Sequence, residues 1–315
     1  MAQISMNMKY INLSGEIKVP TIGLGCMRIA NKSKKEVAEL LTTSLELGIN
    51  FFDHADIYGG GKSEEIFAEA LKEMKTPRDK LIIQTKCGIR KGFYDFSKEH
   101  IIKSVEGSLK RLKTDYIDIL LLHRPDTLME PEEVGEAFSY LHSKGMVRYF
   151  GVSNFNPFQI ELLYTEINYK IIANQLQFSL TNTGMIDFGI FTNTKFPQSI
   201  NRDGGVLEYC RIKNITIQAW SPFQYGDEHS NFQGVFLGNP KFKQLNDKID
   251  ELARKYSVSK EALVIAWILR HPAKIQPIVG TTNPERLKRI VQAIDVNLTR
   301  EEWYSLYISA GNMIP

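Results

Sequence analysis

Residues 80–123 read KLIIQTKCGIRKGFYDFSKEHIIKSVEGSLKRLKTDYIDILLLH, and this stretch holds the unit from which the fold is built. KLIIQT (80–85) is a short apolar run, which predicts a buried strand. Residues 98–112 carry apolar positions at helical spacing and predict a helix. YIDILLLH (116–123) is a second buried strand, ending on His123. Strand, helix, strand in this order implies parallel pairing.

The same rhythm extends in both directions. Upstream lie TIGLG (21–25) and NFFD (50–53); downstream lie VRYFGVS (147–153), IIANQ (171–175), ITIQAW (215–220) and IQPIVG (275–280). Helices are predicted over 33–47, 63–74, 131–143, from Asn156-Pro157, over 203–213, 241–255 and 259–270, from Asn283-Pro284 to about 294, and from Thr299. Eight strands, each followed by helix, in roughly 250 core residues imply a closed (β/α)8 barrel of the TIM type, an α/β fold. Ahead of it, MKYINL and EIKVP around Ser14-Gly15 predict an N-terminal β-hairpin. The stretches 180–202 and 222–240 exceed normal loops and are expected as lids at the C-terminal face. No linker-like tract divides residues 1–315, so one domain is expected. The open-sheet alternative is weakened because Arg28 stands where the third glycine of a G-x-G-x-x-G fingerprint would be.

Composition excludes several functions. The 39 Lys and Arg face 36 Asp and Glu with no long run of one sign, which argues against nucleic acid as a partner. No apolar run approaches the length of a membrane span, and the N-terminus lacks a secretory h-region. Three isolated cysteines, at 26, 87 and 210, suit a reducing cytoplasm and argue against a disulfide framework or a metal cluster.

A barrel of this kind carries its active site at the C-terminal strand ends. Those ends read Asp53, Lys86, His123, Ser153-Asn154, Gln175, Trp220-Ser221 and Gly280-Thr281-Thr282, with Tyr58 five residues beyond Asp53. Asp53, Tyr58, Lys86 and His123 fall on three neighbouring strands. A tyrosine is a poor acid near its ordinary pKa of about 10, and an adjacent ammonium is expected to lower that value. Lys86 needs a carboxylate to stay charged, and Asp53 suits. His123 is placed to hold a carbonyl oxygen. The four can protonate a developing alkoxide, and they supply no electron pair, so a hydride must come from a cofactor.

NFFDHADIYGGGKSE (50–64), LIIQTKCG (81–88), YIDILLLHRPD (116–126), RYFGVSNF (148–155), NQLQFSL (174–180), IQAWSPF (217–223) and PIVGTTNPERL (277–287) resemble, in order, the motifs of the aldo-keto reductase superfamily. LLHRPD and REEWYSLY (300–307) resemble a bacterial branch of small monomeric oxidoreductases. The resemblance implies a barrel that binds NADPH in extended form. It implies a catalytic tetrad of Asp53, Tyr58, Lys86 and His123, with Tyr58 as general acid and a small carbonyl compound as substrate. Ser153, Asn154 and Gln175 would hold the nicotinamide carboxamide, Trp220 would stack on the ring, and Ser221 would reach the pyrophosphate. Gly25, Met27, Arg28, Pro222, Gly280, Thr281, Thr282 and Arg286 complete the expected cofactor contacts. One departure bears on NADPH against NADH: Gly280 stands where many members carry a lysine against the 2′-phosphate. The family's acidic and Asn adenine contacts are also unmatched, with Arg289 and Ile290 in their places. The amides at the start of the Asn283-Pro284 helix are a further expected phosphate contact.

Competing readings are an NADPH-binding regulatory module with little turnover, and an aldolase with Lys86 as a Schiff-base nucleophile. Gly59–Ser63 mimics a phosphate loop but has Asp56 where its first glycine belongs. His54 and Cys87 alternate away from Asp53 and Lys86 and are expected behind the strands. Cys26, near the expected cofactor, is an expected oxidation-sensitive thiol. Selectivity is expected from Met27, Tyr58, His123 and the two long loops.

Overall fold

Eight parallel strands pair in the order in which the chain makes them. In the computed structural model, which describes residues 8–315, they are β1 (Gly23–Gly25), β2 (Phe51–Asp53), β3 (Ile82–Cys87), β4 (Ile117–Leu122), β5 (Val147–Ser153), β6 (Ile171–Gln177), β7 (Thr216–Trp220) and β8 (Gln276–Val279). Each pairs with the next, and β8 returns to β1 through Ile278 opposite Gly23 and Val279 opposite Leu24, which closes the barrel. All eight are strands read from the sequence.

Helices surround the strands because each has one apolar face to bury. α1 (Lys34–Glu46), α3 (Lys98–Leu112) and α5 (Pro157–Tyr164) start at the side chains of Ser33, Ser97 and Asn156, which accept backbone N–H bonds in the first turn. α2 (Lys62–Met74) and α4 (Pro131–Ser143) follow β2 and β4, and α6 (Gly184–Ile190) and α7 (Val206–Ile212) lie between β6 and β7. α8 (Lys243–Tyr256) and α9 (Lys260–Leu269) lie between β7 and β8; α10 (Pro284–Val291) and α11 (Arg300–Ser309) follow. Trp267 and Trp303, expected in the core, stack at 4.8 Å and hydrogen-bond each other's carbonyls through their indole N–H groups.

The hairpin Tyr10–Leu13/Ile17–Pro20 closes the N-terminal end. Its Leu13 and Val19 pack with Phe51, Ile119, Leu121, Ile172 and Ile278 inside the barrel, and Ser14 N–H bonds Thr216 at the start of β7. This apolar floor leaves the opposite, C-terminal end for chemistry. Two long loops hold structure that their composition hid. Residues 222–240 form a small hairpin, Gln224–Tyr225 with Gly234–Val235. Residues 180–202 contain α6, whose Asp187 accepts a bond from Tyr307 of α11 at 2.7 Å. Among the described residues no helix is long and apolar enough to cross a membrane.

Candidate active site

The C-terminal end of the barrel opens into a cavity of about 870 Å³. Asp53, Tyr58, His123, Ser153, Asn154, Gln175, Trp220, Ser221 and Pro222 line it, as do Gly25, Met27, Arg28, Gly280, Thr281 and Arg286. Lys86 lies behind this wall, 1% exposed. Thr282 is half-buried and lies outside the lining.

Lys86 fixes the centre. Its ammonium donates to both oxygens of Asp53 at 2.9 and 2.8 Å, to the His54 carbonyl at 2.8 Å and to Tyr58 Oη at 3.2 Å. Burial disfavours the charge, but Asp53 and Tyr58 more than offset it, and Lys86 is held above the ordinary lysine range. A lysine so committed has no lone pair for Schiff-base chemistry, which removes the aldolase reading.

Tyr58 departs from expectation. Lys86 does lower its pKa, but burial raises it more, and the net shift is upward. The group is therefore a neutral phenol with its proton in place. It opens a turn, Tyr58–Gly61, in which Gly59 and Gly60 take φ of 59° and 66°. A Cβ on Gly59 would fall 2.4 Å from the Ala30 Cβ, so this glycine serves a close approach, and Gly60 serves the left-handed turn.

His123 faces Tyr58 edge-on, ring centres 6.1 Å apart at 82°. Burial, then the charges of Lys86 and Arg124, hold it well below the usual histidine range, so it is neutral. Beside it, Asn154 Nδ2 donates to Ser153 Oγ at 3.0 Å and Trp220 Nε1 donates to Asn154 Oδ1 at 3.1 Å. Ser153 donates its own proton to the Gln175 carbonyl at 2.9 Å.

The back faces of the same strands are inert. His54 is fully buried edge-on to Phe67 at 4.5 Å, and burial pushes it down to about 3. Cys87 is buried with its thiol pushed up. Cys26 was expected to be reactive; it is 0% exposed and burial raises its pKa well above the ordinary value, so it presents no thiolate.

Two other expectations are corrected. The 180–202 loop contributes nothing to the lining; α6 is drawn aside to α11, and only the 222–240 loop covers the cavity, through Phe223, Gln224, Phe232, Val235 and Leu237. The amides of Glu285 and Arg286 at the start of α10 are already bonded to Asn283 Oδ1 at 2.9 and 3.1 Å, which leaves the Arg286 side chain for an anion. Sequence reading missed Glu261 in the lining, on α9 and paired with Arg289 at 2.8 Å. It also missed three glutamines inside the barrel, Gln84, Gln218 and Gln276. Each is a lone amide within an apolar strand, and that was the available signal.

Comparison with known proteins shows the family. The Aldo/keto reductase family profile matches residues 21–308. A 6-dehydroglucose reductase of Agrobacterium fabrum is 37% identical over 96% of this chain and 98% of its own length. Among solved structures, a thermostable aldo-keto reductase in complex with the inhibitor epalrestat is 26% identical with a TM-score of 0.78, covering 96% of this chain and all of that one. A Bombyx mori aldo-keto reductase in complex with NADP shares the fold at 23% identity, with a TM-score of 0.73 over 96% of this chain and 93% of that one. The chain belongs to the aldo/keto reductase family and is an NAD(P)H-dependent oxidoreductase.

Proposed function

We propose that the protein reduces an aldehyde or ketone to the alcohol with NADPH, and that Tyr58 donates the proton. The observation that carries this reading is Lys86, whose buried ammonium joins Asp53 to Tyr58 Oη.

The cavity fits a nicotinamide. Trp220 offers a flat indole fixed by its bond to Asn154. Ser153, having donated its proton, faces the cavity as an acceptor. Gln175 directs its Nε2 away, to Asp53 and Gln218, and so presents Oε1 as a second acceptor. Asn154 Nδ2 donates to Ser153 Oγ at 3.0 Å and to the His123 carbonyl at 3.4 Å, and so holds the cluster in place. The two acceptors match the NH2 of a primary carboxamide. The bound nicotinamide supplies a hydride to the carbonyl carbon.

Everything else falls to the chain. Tyr58 Oη donates its proton to the carbonyl oxygen as charge develops there. Lys86 stabilises the phenolate left behind, and Asp53 keeps Lys86 charged. Neutral His123 can offer one N–H to the same oxygen. Arg286 is the residue we assign to the 2′-phosphate, by a charge-assisted contact. The 222–240 loop and Met27 shape the substrate side.

The test is oxidation of NADPH by the purified protein with a reactive aromatic aldehyde, beside the same assay with NADH. Aldehyde-dependent loss of NADPH, faster than of NADH, supports the reading. Binding of NADPH seen by fluorescence without turnover would replace it with a regulatory binding module.

A further inference from the structure

Barrel interiors are ordinarily filled by branched apolar side chains. The lowest layer here obeys that rule, but the layer above it does not. Gln84 of β3, Gln218 of β7 and Gln276 of β8 are all 0% exposed and point inward between the apolar floor and Asp53. Burying three amides is costly unless each is bonded.

They are bonded in one connected chain. Gln276 Nε2 donates to the Pro20 carbonyl at 2.8 Å. Gln218 Nε2 donates to Gln276 Oε1 at 3.0 Å and to Gln84 Oε1 at 3.1 Å. Gln84 Nε2 donates back to Gln218 Oε1 at 2.8 Å and up to Asp53 Oδ1 at 2.6 Å. Both ends of the chain, a carbonyl and a carboxylate, can only accept. That fixes which way every amide between them must face. Gln84 and Gln218 satisfy each other reciprocally, so neither can turn without orphaning the other.

We propose that Gln84 is a positioning residue of this site: braced through Gln218 and Gln276 against the barrel floor, it holds the Asp53 carboxylate in the orientation that aims Lys86 at Tyr58. Asp53 Oδ1 receives the Gln84 bond at 2.6 Å, the Lys86 bond at 2.9 Å and a longer one from Gln175 at 3.0 Å. Gln84 thus makes the shortest of three bonds to Oδ1, one of the two oxygens that hold the ammonium. Satisfied buried networks of this kind rigidify what they touch. The role rests on the reductase reading, because it is exerted through Lys86 and Tyr58.

The test is Gln84→Glu, which keeps the shape and makes the donor pH-dependent. The charged groups facing position 84 are Asp53 on β2 and Lys86 on its own strand; its neighbours on β6, β7 and β8 are the amides of Gln175, Gln218 and Gln276. A protonated glutamic acid there donates to Asp53, and an ionised one repels it. We expect kcat within about threefold of wild type at pH 5.5 and at least about tenfold lower at pH 8, a change of about one pKa unit's worth of free energy. The wild-type profile is expected to be flat over this range, and NADPH affinity by fluorescence is expected to be unchanged in the variant at both pH values. A pH profile of kcat that matches wild type would overturn the inference, as would a loss of kcat that tracks loss of the folded state by circular dichroism. Should Gln84→Glu not fold, the Gln84→Leu/Gln218→Leu pair removes the two reciprocal partners together, and besides Asp53 Oδ1 only Gln276 Oε1 and one Gln175 N–H lose a bond. Low kcat with a near-wild-type Tm in that pair supports the brace, and recovery of both overturns it. Absence of turnover in wild type itself would bring down the reductase reading and this inference with it.

Discussion

The two ends of the cavity are built differently. At the barrel axis, Asp53, Lys86 and Tyr58 are connected to one another and, through Gln84, to the floor of the fold. At the far end, Arg286 is exposed, Gly280 has nothing within 4 Å of where a Cβ would stand, and Glu261 with Arg289 makes a partly exposed pair. One end is a preorganised electrostatic device, in which each charge is placed before any ligand arrives. The other is an open rim where single charges face solvent and are screened by it. Substitutions that strand a buried charge at the axis should therefore change rate and stability together, and those at the rim should change only which cofactor is preferred.

Lys86→Met should show the larger side of that contrast. It removes the charge beside Tyr58 and leaves Asp53 buried without its cation, and breaking a buried pair in this way costs about 3–5 kcal/mol. Denaturant melts should record that loss, and turnover at a temperature where the variant remains folded should fall by orders of magnitude. A variant with wild-type stability would mean that Asp53 is not held as described.

Changes at the rim should be smaller and selective. Arg286→Ala should weaken NADPH binding by about tenfold and leave NADH nearly unchanged, the size of a lost charge-assisted bond. Gly280→Lys, for which the backbone has room, should move the ratio the other way. Equal effects on both cofactors would show that this rim does not read the 2′-phosphate.

A further effect concerns pH. Asp56 lies two residues before Tyr58; burial, helped by Glu64, pushes its carboxyl up to about 7, and its Oδ1 has no partner. Its folded pKa thus exceeds the unfolded value near 4. The folded state keeps a proton that the unfolded chain loses, so this group's contribution is full below pH 4 and is lost as pH rises to 7. Asp56→Asn should flatten that part of the Tm profile and raise Tm by a few degrees at pH 8. A profile still sloping as in wild type would assign the slope to another group.

The same contrast decided what could be read from the sequence. The axis was legible because strands ending on Asp53, Lys86 and His123 must present them at one barrel face. Period-two alternation also sent His54 and Cys87 to the back. What stayed hidden depended on contacts between distant segments. Glu261 reaches the rim from a helix remote from Arg286, and nothing local marks it. The 180–202 loop has the length of a lid, but the Tyr307–Asp187 bond and the burial of Met185, Ile186 and Phe191 hold it outside the cavity lining. The direction of the Tyr58 shift needed the balance of burial against Lys86, which spacing alone does not give.

The central claim is that Tyr58 supplies the proton and does little to hold the cofactor. The most direct measurement is kcat of Tyr58→Phe with NADPH and an aromatic aldehyde, set beside the NADPH dissociation constant of the same variant. The account predicts a fall in kcat of about 10²–10⁴-fold, the span of a lost general acid, with affinity within about twofold of wild type, because the deletion removes a donor to the reacting oxygen and no cofactor contact. Near-normal kcat, or a loss confined to cofactor binding, would contradict it.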